Sequence, residues 1–154
     1  MEATPTPDDE FLEDLRRQRA ELRESMSALE AALAAPATGD RGRWTQRVHA
    51  ATVELAGDLR EHVDITEGPD GLYREVLETA PRLTEAVTAL KREHVLIRDQ
   101  LQSVLDRVAA PDAGVEVDRV RALGTALLGR LVRHRQRGSD LVFEAYEVDI
   151  GGET

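Results

Sequence analysis

The chain has 154 residues, of which 41% are hydrophobic and only 3% aromatic, with no cysteine and a formal net charge of −10. That length buries one core, and a composition poor in aromatics favours packed helices over sheets. The missing cysteines exclude disulfides and thiolate chemistry, and the negative charge opposes nonspecific binding to nucleic acid or to an anionic membrane surface.

The start, MEATPTPDDEF, carries neither the basic nor the apolar region of a secretory signal, and no apolar run approaches the roughly 20 residues of a membrane span. A soluble, cytoplasmic protein with no membrane partner is expected, with residues 1–7 disordered. A first helix is predicted over residues 8–35, with Leu15, Leu22, Met26, Leu29 and Leu33 on one face, until APATGD stops it. A second runs from Arg41 through Trp44, Val48, Ala51, Leu55 and Leu59 to Gly68-Pro69-Asp70-Gly71. The short helical piece LYREVLETA follows. Pro81 suits the first turn of a third long helix carrying Leu83, Val87, Leu90, Ile97, Leu101, Val104 and Val108. After the loop APDAGVE, a fourth helix spans Val117 to Tyr146, and residues 148–154 form a flexible tail. Long helices joined by short loops predict an all-α, antiparallel up-down-up-down four-helix bundle over residues 8–147.

Histidines interrupt three of these apolar faces. Stepping back from His134 by threes and fours gives Leu131, Leu127, Gly124 and Val120, so His134 stands where a leucine is expected. His94 holds the same place after Leu83, Val87 and Leu90, and His62 after Leu55 and Leu59. In the first helix Arg19, or Gln18 after a small rotation, falls in the seam. At about 1.5 Å per residue, His94 and His134 each lie roughly 25–30 Å from the Pro111 loop, and Arg19 and His62 lie at comparable heights from the Pro36–Asp40 loop. The histidines are therefore expected in one core layer, with Thr66, Leu90, Gly138 and Leu15 in the next. His49 points about 140° away from His62 on its own helix and is expected at the surface or boundary.

Two readings of such a layer stand side by side. A buried imidazole is ordinarily a hydrogen-bonded core residue, and in a metal-free core a leucine at position 134 would be expected to stabilise the fold. Three neutral imidazoles on facing helices are also how a bundle builds a metal site, with an open position for water, oxygen or peroxide on zinc or iron. Arg130, Arg133, Arg135 and Arg137, which surround His134, are expected to form a solvated face paired with Glu and Asp. Gly138 either enables close helix packing or leaves a small ligand cavity.

The segments LREHVDITEGPDGLY and LKREHVLIRDQL give the chain, from about Leu12 to Tyr146, a resemblance to the hemerythrin-like, or HHE cation-binding, family. That resemblance implies a four-helix bundle with a non-haem di-iron centre that binds oxygen, nitric oxide or peroxide, or senses iron and redox state. Carried over residue by residue it assigns His62, His94 and His134 as metal ligands, with Glu67 as the surviving carboxylate. The first-helix histidine of the pattern stands here as Arg19, the carboxylate after His62 as Thr66, the histidine before His94 as Leu90, and the carboxylate after His134 as Gly138 or Ser139. Two close ions need bridging anions, so the depleted set favours one ion over two. The function expected is binding or sensing of a small gaseous or peroxide ligand (O2, NO or H2O2) on one or two non-haem iron ions, with zinc as the other metal. The alternatives are a metal-free bundle serving as a partner-binding or homodimerising module, and, more remotely, a zinc hydrolase with Glu67 or Glu93 as base.

Overall fold

The computed structural model describes residues 7–109 and 115–148. Most of the expected disordered start and flexible tail, and the Pro111 part of the APDAGVE loop, lie outside the described residues. Helix α1 spans Pro7–Ala34, α2 Arg41–Glu67, α3 Leu72–Thr79, α4 Thr84–Val108 and α5 Val117–Phe143. A single 3-10 turn, Pro81–Leu83, leads into α4, and a π-helical turn, Glu144–Val148, ends α5. The long third helix thus begins after Pro81, whose fixed φ starts the tighter turn instead.

Each boundary has a local cause. Asp40 caps α2 by accepting a hydrogen bond from the Arg43 amide at 2.9 Å. Gly68 ends that helix ahead of Pro69, and at Gly71 a Cβ would lie 2.7 Å from the Thr66 carbonyl oxygen and 2.9 Å from those of Ile65 and Gly68. Only glycine lets the chain turn back so tightly, and this turn brings α3 under the end of α2.

The four long helices form an all-α bundle. Along α1 and α5 the pairings run in opposite directions: Arg19 meets Ser139, whereas Leu33 meets Gly124 and Arg121. Between α4 and α5, Glu93 meets His134, and Arg82 in the turn before α4 meets Glu144 in the turn after α5. Adjacent long helices are therefore antiparallel at both of these interfaces. The apolar side chains divide into two buried clusters. The larger joins α1, α2, α4 and α5 through residues such as Leu22, Leu55, Leu59, Ile97, Leu127 and Leu131. The smaller joins α3 to the start of α4 and the end of α5 through Tyr73, Val76, Val87, Leu90 and Leu141. The histidines lie between them.

Candidate metal centre

His62, His94 and His134 meet in one layer, with ring centroids 4.7–5.2 Å apart. His94 and His134 are fully buried, at 0% and 2% exposure. Their Nε2 atoms face one another: His94 to His134 at 3.0 Å and His62 to His134 at 3.2 Å. The outer nitrogens all meet acceptors. His94 Nδ1 lies 2.5 Å from Glu67 Oε2, His134 Nδ1 lies 2.7 Å from Glu93 Oε1, and His62 Nδ1 lies 3.3 Å from Gln18 Oε1.

These acceptors fix the tautomers. A carboxylate or amide oxygen at Nδ1 places the proton there, leaving each Nε2 with a lone pair directed inward. Three lone pairs at this spacing repel unless a cation sits between them. Protonation does not supply that cation near neutral pH. Burial, and then the charges of His94 and His134, push His62 down to about 3; burial, and then His134, push His94 to about 3. His134 is also lowered by burial, although Glu93 pulls it partly back. A metal ion with nitrogen ligands at roughly 2.0–2.1 Å would set them about 3.0–3.4 Å apart, depending on geometry. The observed separations suit that ion.

The family model of the hemerythrin HHE cation-binding domain matches residues 10–146. The chain belongs to the hemerythrin HHE cation-binding family. No curated protein and no solved structure matches it. Membership implies non-haem metal binding, and in this HHE domain the histidine group is where donors gather.

Around that group the layer departs from the sequence expectation in three ways. Gln18, not Arg19, takes the α1 seam position: it is 5% exposed and donates from Nε2 to the Asp58 carbonyl oxygen at 2.9 Å while facing His62. Arg19 turns outward and donates to Ser139 Oγ at 2.9 Å, which keeps a guanidinium hydrated instead of buried. Glu67 is not brought to the point where the three Nε2 atoms meet, because its five-residue offset from His62 turns it onto the outer edge of His94. Glu93, whose carboxylate is 7% exposed, binds His134 and is held by Arg137, with Arg130 3.9 Å away. Burial pushes the Glu93 carboxyl upward, but the bond from His134 and the nearby charges outweigh it and hold it below the ordinary carboxylate range.

Some of the remaining expectations fall into place and others give way. Thr66 is buried and donates its hydroxyl to the His62 carbonyl oxygen at 2.7 Å, so it offers the layer no carboxylate. His49 is half-buried, away from the layer. Of the arginines around His134, Arg137 pairs with Glu93, but Arg135 lines a cavity in place of joining a paired surface face. Tyr73 was missed as part of the site: its ring stacks on His94 at 5.9 Å between centroids, with its hydroxyl 3.4 Å from His94 Nε2. The Gly-Leu-Tyr turn was its only sequence signal. A second acidic group, Glu21, Asp58 and Glu61, is partly exposed and separate from the histidines.

His62 and His134 also form part of the wall of a cavity of about 420 Å³ between α1 and α5, so the histidine layer opens onto it.

Proposed function

We propose that His62, His94 and His134 hold one non-haem metal ion through their Nε2 atoms, and that the protein binds or senses a small oxidant such as O2, NO or H2O2 there. Iron is the metal of this reading, with zinc as the competing occupant, and a cytoplasmic setting belongs to it. The observation that carries the proposal is the set of three inward lone pairs whose outer nitrogens are already occupied. When bound, the ion supplies an open coordination position for the small ligand. Glu67 and Glu93 orient His94 and His134 and raise the basicity of their inner nitrogens, and Gln18 does the same, as a neutral group, for His62. Tyr73 offers a hydroxyl donor at the edge of the layer. The adjoining cavity gives the ligand a route in.

One ion, not two, follows from the donor count. Thr66, Leu90 and Gly138 stand where a second ion would need donors, and the two nearby carboxylates are already bonded to imidazoles. The test is metal analysis of protein made without an affinity tag and titrated separately with iron(II) and zinc(II). About one equivalent per chain, lost in His94→Ala, is the expected result. Wild-type protein that takes up no ion, or takes up two, would overturn the reading.

A further inference from the structure

The cavity beside the histidines is far larger than a diatomic or peroxide ligand needs. Its volume is about 420 Å³. One water in the liquid occupies roughly 30 Å³, and sites for organic small molecules run from about 300 to 1,000 Å³. On α5 its wall climbs from His134 to Val142, roughly 12 Å at the helical rise.

The two ends differ in character. Near the histidines the wall carries Arg19, Arg135 and Ser139; farther out it carries Phe11, Leu15, Leu72 and Val142, with Arg16 and Glu75 also on the lining. Among the described residues Arg19 bonds only to a neutral hydroxyl, and the buried Nε of Arg135 has no hydrogen-bond partner. Neither guanidinium forms an ion pair there. An anion held between these two cavity-lining arginines would offset the charge of both.

Gly138 supplies a separate argument. A glycine inside a helix is destabilising relative to alanine, so it calls for a reason. At Gly124 the reason is close packing, because a Cβ would lie 2.5 Å from Leu33 Cδ1. At Gly138 a Cβ would meet nothing within 4 Å. Its bare backbone instead leaves the cavity open between the cationic and apolar ends.

We propose that this cavity binds an aliphatic monocarboxylate of roughly eight to twelve carbons, its head between Arg19 and Arg135 and its chain passing Gly138 toward Phe11 and Val142. The site goes beyond the metal reading and does not require the ion.

Calorimetric titration of metal-free protein with decanoate, decan-1-ol and decyltrimethylammonium tests it. Decanoate is expected to bind saturably and about ten-fold or more tighter than the cation of equal chain length. Gly138→Leu should abolish decanoate binding, and Arg19→Gln with Arg135→Gln should weaken decanoate about ten-fold while leaving decanol unchanged. His94→Ala should lose metal and keep decanoate, so the two readings fail separately. No saturable decanoate binding by wild type, equal affinity for the cation, or a Gly138→Leu variant that binds as before would overturn the proposal. So would a cavity face that proves to be closed by a second copy, seen as a wild-type dimer that Gly138→Leu dissociates without decanoate.

Discussion

Glu67 Oε2 lies 2.5 Å from Nδ1 of His94, on the nitrogen opposite the one that meets His134. A carboxylate so placed fixes the imidazole's tautomer and its rotation together. Glu67→Ala should therefore weaken zinc or iron binding by about 10- to 100-fold without changing the stoichiometry. Competition with a chromophoric chelator measures this, and an unchanged affinity would show that Glu67 does not support the centre.

The histidine layer makes the metal-free protein acid-sensitive. His62 and His94 are held at about 3 by burial and by neighbouring positive charge, below the ordinary 6.5 of the unfolded chain. Between these values the unfolded state binds more protons, so the associated stability is fully present above about pH 6.5 and falls as the pH drops toward 3. Denaturant titrations of chelator-treated protein between pH 7.5 and 5 should show a loss of up to about 1.4 kcal/mol per pH unit for each histidine. Replacing both His62 and His94 by Gln should flatten that slope.

Replacing His134 by Leu reverses an expectation drawn from hydrophobicity alone. The imidazole bonds to Glu93, whose carboxylate is only 7% exposed. A leucine there removes a partner from a buried charge, at a cost of about 1–3 kcal/mol that outweighs the gain in apolar packing. Thermal and denaturant unfolding of metal-free His134→Leu should show lower stability than wild type, and higher stability would contradict the Glu93 contact.

Gly124 and Gly138, both in α5, should respond in opposite directions. Gly138→Ala adds a methyl group into open space within a helix and should stabilise by about 0.5–1 kcal/mol. Gly124→Leu pushes into Leu33, which is 5% exposed within the packed core, and should destabilise by about 1–3 kcal/mol. Paired denaturant curves distinguish them.

The sequence by itself determined the helices, their order and the inward placement of His62, His94 and His134. These follow from quantities that run along one helix: apolar spacing gives the buried face, and residues counted from a loop give the height. The same counting left Arg19 and Gln18 undecided, since one residue of rotation separates them. The tertiary structure chose Gln18, because an amide can serve both Asp58 and His62 inside while a guanidinium stays hydrated at Ser139. It also decided that Glu67 and Glu93 stand behind the imidazoles and that Tyr73 lies against His94. Gly124 packs while Gly138 opens a cavity for a similar reason. Each of those outcomes depends on the distance and rotation between neighbouring helices, which the packing of many side chains sets jointly and no single stretch of residues encodes.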